Sequence, residues 1–253
     1  MFFYVSHKYK YILIMFCKSG CSTLRYLFTH LHFEEFNDNI FINNKNKYLI
    51  EHVHTWGPYN YNHIINNHLH KDFIIPDKFK HYKRICVVRN SYKRLLSTYF
   101  NQWLSLNVEQ GPRNICSGDT FIEFLKKVKT LTGHHYYPQK INKNNRIDKY
   151  IYLSNIKELY TAYKNIIKLP EDKLKIAHDI LIVNNVKKEC MKKKPYVENK
   201  YFTNYNFLTD TESLDIESNG VPHYLNMYTV EAKELVLKNF SYEINVFNFK
   251  STC

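Results

Sequence analysis

The sequence predicts an α/β fold with a central, mainly parallel sheet flanked by helices, and three observations carry that prediction. The first is a pair of apolar runs without polar alternation, residues 9–17 (YKYILIMFC) and 84–89 (RICVVR), which is how a strand buried on both faces reads. The second is the segment after each run. TLRYLFTHLHF (23–33) repeats Leu24, Leu27, Phe28 and Leu31 at helical spacing, and NSYKRLLSTYFNQWL is strongly amphipathic, so strands alternate with helices. The third is composition: 44% apolar and 16% aromatic residues, with only 6 Gly and 7 Pro, exclude a disordered or collagen-like chain. At 253 residues the chain is long enough for a sizeable core, and a single domain over 1–253 is expected.

Along the chain, 9–17 is the first strand, KSGCST a tight turn, and 23–33 a helix. KYLIEHV (47–53) reads as a second strand that ends in a His-rich loop, and 84–89 as a third. Asn90 or Ser91 caps the helix after it, because their short polar side chains accept from first-turn N–H groups. Residues 105–118, with Gly, Pro, Asn and Ser, form a loop, and Asp119 to Val128 a short helix. IDKYIYL (147–153) is a further strand, with helices after it at 155–167 and, behind Pro170, at 171–181. Residues 187–224, Lys-rich and then polar, make a second irregular excursion; TVEAKELVLKNF is helical and SYEINVFNF closes the chain. In open α/β sheets ligands sit at the carboxyl ends of the strands, so the loops after 17, 53 and 89 are the places to search.

Lys plus Arg is 36 against 23 Asp plus Glu, a net charge of +13, which favours an anionic partner without choosing one. The longest apolar run, Tyr11 to Cys17, is far short of the ~20 residues of a membrane span. No signal peptide is visible, so the default expectation is a soluble cytoplasmic chain. The six cysteines contain no CxxC pair, and no zinc site is expected. Cys17 and Cys86 read as buried thiols, and Cys116 with Cys190 as a disulfide that spacing alone leaves open.

Two constellations carry chemistry. In CKSGCST, a buried strand runs into a helix N-terminus, which offers unpaired N–H groups and a partial positive charge. Gly20 lets backbone approach an anion, Ser19, Ser22 and Thr23 add hydroxyl donors, and Lys18 adds a cation. Together with Cys21 these form a phosphate- or sulfate-sized cradle. The Walker pattern requires GxxxxGK[ST]; here Lys18 precedes Gly20 and the first Gly is missing, which argues against an ATPase or nucleotide kinase. In the second constellation Arg89 stands at the exit of a buried strand, and Arg94 and Ser97 share a helix face three residues apart. A buried cation needs an answering anion or carboxylate, and Arg can fork onto phosphate.

These segments, in this order, resemble the PAPS-dependent sulfotransferases, most closely the carbohydrate-directed branch of chondroitin, HNK-1 and uronyl sulfotransferases. That family writes its 5′-phosphosulfate loop roughly as Pro-Lys-x-Gly-Cys/Thr-Thr. This chain supplies Lys18, Gly20, Cys21 and Ser22, with Cys17 in the Pro place. The family's 3′-phosphate segment, Arg-x-Pro-x-x-Arg-x-x-Ser-x-Tyr, is matched by Arg89, Arg94, Ser97 and Tyr99, with Ser91 in the Pro place. TFIEFL (120–125), HYYPQ (135–139) and the tail YTVEAKELVLKNFSYEINVFNF match the family pattern more loosely.

The resemblance implies a P-loop-like nucleotide-binding sulfotransferase fold. It implies PAPS as co-substrate, no metal, and in-line transfer of a sulfuryl group to a carbohydrate hydroxyl. Lys18 neutralises charge on the bridging oxygen, assisted by backbone N–H groups from Gly20 to Thr23; Arg89, Arg94 and Ser97 hold the 3′-phosphate. His52 is the expected base, with His54 second in order, since a neutral imidazole suits proton abstraction at neutral pH. His135 and Gln139 lie toward the acceptor. Many relatives are anchored in the Golgi membrane, so a Golgi lumenal location is the expectation if an anchor precedes this chain. Nucleic acid is not an expected partner, because the lysines are scattered rather than interleaved with aromatics on one face. The alternatives are a basic nucleotide- or nucleic-acid-binding α/β protein and an inactive sulfotransferase-like scaffold.

Overall fold

The computed structural model describes residues 2–32, 75, 77–104, 120–131, 136–183 and 224–251. They fall into two compact units interleaved along the chain, Met1–Arg89 with Ile141–Cys190, and Asn90–Lys140 with Met191–Cys253. The expected strand at 47–53, the irregular stretches at 105–118 and 187–223, and the pair Cys116 and Cys190 lie outside the described residues.

The first unit is α/β. Its four strands are β1 (Phe2–Ser6), β2 (Tyr11–Met15), β3 (Lys83–Val88) and β4 (Lys149–Tyr152), in the sheet order β1-β2-β3-β4. β2 and β3 run parallel with Met15 opposite Val87, and β3 and β4 run parallel with Val88 opposite Tyr152. The sheet is mixed because β1 is antiparallel to β2. That hairpin strand is an addition to the sequence reading, which begins the sheet at residue 9. Its turn, His7 to Lys10, contains no Gly, Asn or Pro, and Lys10 itself takes the left-handed conformation at φ 49°. The turn signal in the local sequence is Ser6 at the end of β1, whose hydroxyl accepts from the Tyr9 N–H at 3.2 Å.

Every residue of β2 is buried, as a strand with both faces covered requires. Tyr11, Leu13 and Met15 join Ile85, Val87 and Ile151 in a continuous core. Helix α1 (Cys21–Leu31) presses Leu24, Leu27, Phe28 and Leu31 into that core. Those are the four residues whose spacing predicts the helix, and full burial contributes about 1.5–3 kcal/mol for each. After β4, a 3₁₀ turn (Leu153–Asn155) leads into a helix at Lys157–Ala162, which widens into a π turn at Tyr163–Ile167. Lys168 closes it at φ 59°, and Pro170 starts the helix Glu171–His178.

The regular structure described in the second unit is helical. It comprises α2 (Ser91–Leu104), α3 (Phe121–Lys127), a short turn of helix at Tyr224–Met227, and the long closing helix Val230–Val246. Asn90, one of the two expected caps, accepts from the N–H groups of Tyr92 at 3.0 Å and Lys93 at 3.4 Å. Thr120 and Glu123 form a reciprocal capping box on α3. The closing helix continues past the expected end at Phe240, kinking there (φ −127°), and takes in SYEINV. It packs on α2 and α3. Beside that contact the Phe121 ring meets Tyr99 and Tyr228 edge to face, with centroids 5.2 and 5.1 Å away.

Candidate anion-binding site

The carboxyl ends of β2, β3 and β4 converge in the first unit. After β2 the chain turns tightly, the Ser19 N–H donating to the Phe16 carbonyl at 3.1 Å. Two residues of this turn are left-handed, Lys18 at φ 62° and Gly20 at φ 82°. For Lys18 such a conformation costs ~1–2 kcal/mol. Gly20 carries a second constraint: a Cβ there would lie 2.8 Å from Leu153 Cδ1. The β2 turn and the chain leaving β4 therefore approach too closely for a side chain at position 20 unless Leu153 moves. Gly20 is the N-cap of α1, and no side chain caps the helix from that position. Its first-turn N–H groups thus lack the acceptor that a Ser or Asp cap would provide.

Arg89, at the exit of β3, reaches across to this turn. Its Nη1 donates to the Lys18 carbonyl at 2.8 Å. The parallel register of β2 and β3 makes this possible, because it brings both exits to the same edge of the sheet. The acceptor belongs to a left-handed residue, so Arg89 helps hold a conformation that lysine disfavours. Lys18, Gly20, Cys21, Thr23 and Arg89 are all partly exposed, while Ser19 is buried. Two cationic residues and a helix N-terminus meet at one partly exposed edge, an arrangement suited to an oxyanion.

Two thiols line the same turn. Cys17 is buried and hydrogen-bonds to Cys21. The Cys21 thiol also donates to the Phe16 carbonyl at 3.3 Å. The Cys17 hydrogen bond lowers the Cys21 thiol to about 6; burial opposes the shift, while Arg25 and the backbone N–H groups of Lys18 and Ser19 reinforce it. Cys17 is pushed strongly upward by its bond to Cys21 and by burial. Arg25 also bonds the Tyr4 phenol, which burial raises to about 12.

The other expected site residues are placed differently. Arg94, expected on an anion, is 1% exposed and donates from Nη2 to Glu243 Oε1 at 2.9 Å, with Glu243 itself 0% exposed. The other oxygen of Glu243 accepts from the Gln139 backbone N–H at 2.7 Å and from its Nε2 at 2.9 Å. Gln139, expected toward the acceptor, is therefore held inside the second unit together with Arg94. Ser97 is half-buried on α2 in the same unit. His52, His54 and His135 lie outside the described residues. Sequence reasoning missed Glu243 because nothing in its helical neighbourhood distinguishes it from a solvated carboxylate. Among the described residues, no group of three or more His, Cys, Asp or Glu gathers as a metal site, and no helix is long and apolar enough to cross a membrane. No family model, curated protein or solved structure matches the chain.

Proposed function

We propose that the protein is a PAPS-dependent sulfotransferase that transfers a sulfuryl group to a carbohydrate hydroxyl. The observation that carries this reading is the 2.8 Å bond from Arg89 to the Lys18 carbonyl. It joins the exits of β2 and β3, the two places where the sequence resembles the nucleotide motifs of that family. A donor with phosphate groups at both ends of one nucleoside calls for two anion-binding turns on one sheet edge.

In this reading the Lys18 to Thr23 turn receives the phosphosulfate end. The α1 N-terminus supplies oriented N–H groups, and the Lys18 ammonium offsets the charge that grows on the bridging oxygen as the sulfuryl group departs. Arg89 contributes the cation at the 3′-phosphate end and keeps the Lys18 turn in shape, so that donor and acceptor meet in line. Ser97 is the hydroxyl that the resemblance assigns to the 3′-phosphate. Arg94 acts through the fold of the second unit, since its guanidinium is engaged by Glu243. His52 takes the acceptor proton, with His54 as the second choice.

Thermal shift tests the donor half. Adenosine 3′,5′-bisphosphate is expected to stabilise the protein, by roughly 2.7 kcal/mol at a hundredfold excess over Kd, and ATP with Mg²⁺ far less. Equal response to both, or to neither, overturns the reading. Transfer of labelled sulfate from PAPS to a panel of glycans tests the reaction, and Lys18→Ala is expected to abolish it while leaving the protein folded.

A further inference from the structure

We propose that the amino-terminal edge of the first unit's sheet is a docking surface for an acidic polysaccharide, the carboxylated or sulfated chain that the enzyme modifies. Three turns meet at this edge: residues 7–10 between β1 and β2, 77–82 before β3, and 142–148 before β4. Backbone hydrogen bonds join them. The Lys83 N–H donates to the Lys10 carbonyl and the Asp148 N–H to the Arg84 carbonyl, both at 2.9 Å. His7 Nδ1 lies 3.2 Å from the Tyr82 hydroxyl, which ties the first turn to the second. Counted with Lys83 and Lys149, the first residues of β3 and β4, the three turns carry eight lysine or arginine side chains, every one exposed, against two aspartates. One of those carboxylates is already engaged: Asp148 Oδ2 accepts from the Arg84 N–H at 2.8 Å, and Oδ1 faces Arg146 Nη2 at 3.8 Å. Glu158, from the helix after β4, meets Lys149 at 3.3 Å. The parallel register concentrates the charge, because neighbouring strands lie ~4.8 Å apart and cations at successive strand starts form a row. Like charges so placed repel one another and draw in a polyanion.

The side chains between the cations choose the polyanion. Single-stranded nucleic acid is held on open aromatic faces where bases stack. Here Phe79 is 5% exposed, Tyr82 meets it edge to face with centroids 5.2 Å apart, and the Lys78 ammonium covers its ring at 5.0 Å. Lys8 stands over the Tyr9 ring at 5.5 Å, and the His32 ring packs against the same tyrosine. These rings are spent on one another and on lysine. An anionic membrane calls for apolar side chains beside the cations, and among the described residues no large exposed hydrophobic side chain belongs to these turns. What is left is recognition by charge, lysine and arginine heads reaching carboxylate or sulfate groups. The choice of a carbohydrate rests on the sulfotransferase reading. The row lies at the opposite end of the strands from the Lys18 turn, and β2 alone, with 5 residues, spans ~16 Å. It therefore grips a stretch of the acceptor away from the reacting hydroxyl and raises the effective concentration of long chains over short ones.

The test measures binding of a fluorescent heparin octasaccharide to the full chain by anisotropy at physiological ionic strength. An edge variant carries Lys80→Glu, Lys83→Glu and Arg146→Glu. A control carries Lys126→Glu, Lys129→Glu and Lys238→Glu, exposed lysines of the second unit, and changes the net charge by the same amount. Circular dichroism checks that both fold, and glutamine at the same three edge positions gives a milder version with a smaller loss in the same direction. Wild type and control are expected to bind alike, and the edge variant roughly tenfold more weakly, as the loss of three exposed ion pairs allows. No loss in the edge variant, or an equal loss in the control, overturns the proposal. Single-stranded DNA of matched charge is expected to bind more weakly than the octasaccharide. Equal or tighter binding of the DNA, lost in the edge variant, assigns the edge to nucleic acid and overturns the glycan. In the transfer assay the edge variant is expected to raise KM for a long acidic acceptor with kcat unchanged; an unchanged KM removes the edge from acceptor binding. Adenosine 3′,5′-bisphosphate is measured on the same proteins and is expected to bind wild type and edge variant equally. Failure of the wild type to bind it overturns the sulfotransferase reading, while the octasaccharide comparison still decides the edge.

Discussion

Gly20→Ala probes the turn at its most constrained point. Two costs can be separated. The backbone stays at φ 82°, which costs an L-residue with a Cβ ~1–2 kcal/mol. The new methyl meets Leu153 Cδ1 at 2.8 Å, so Leu153 must move off its rotamer at ~0.5–1.5 kcal/mol. Against these stands a gain of ~0.4–1 kcal/mol, because alanine has less unfolded-state freedom to lose than glycine. The expected net loss is ~1.5 kcal/mol, a fall in Tm of about 3–6 °C at the ~2–4 °C per kcal/mol typical of chains near this size. Circular-dichroism melts of the wild type, Gly20→Ala, Leu153→Ala and the double variant isolate the steric part. In the Leu153→Ala background the alanine should cost less, since its methyl meets no Cδ1. A Gly20→Ala variant as stable as the wild type refutes the left-handed turn, and an equal cost in both backgrounds refutes the close approach of Leu153.

Two further perturbations probe the buried charges and the thiols. Glu243→Ala leaves Arg94 buried without its carboxylate and should cost about 3–5 kcal/mol in denaturant unfolding; pairing Glu243→Leu with Arg94→Met should recover much of that, and a loss below about 1 kcal/mol for Glu243→Ala would show that the ion pair does not hold the second unit together. The Cys21 thiol lies at about 6 when folded against an ordinary 9.0, so its contribution to stability is complete above pH 9 and lost as pH falls through 6. The raised Cys17 thiol has the opposite sense, and its contribution declines above pH 9. Tm of the wild type relative to Cys21→Ser should therefore climb between pH 6 and pH 9, and a flat difference would remove the thiolate from the turn.

Local hydropathy writes a large part of this fold into the sequence. The apolar run ending at Cys17 contains β2, the run ending at Arg89 covers all of β3 but Lys83, IDKYIYL contains β4, and the spacing of Leu24, Leu27, Phe28 and Leu31 marks the buried face of α1. An unbroken apolar run and a helical period each span only a few residues, so they are legible without a partner. The turn after β2 is legible too, since a Gly between a buried strand and a helix has few alternatives. Strand β1 is less so, because its turn carries only Ser6 as a signal and places a lysine, Lys10, in the left-handed conformation. Which polar groups answer one another is a matter for the three-dimensional fold alone. Arg89 bonds the backbone of a residue 71 positions away, and Arg94 finds its carboxylate 149 positions on. A buried charge must be compensated, but the requirement names no partner, and folding is free to supply it from any distance along the chain.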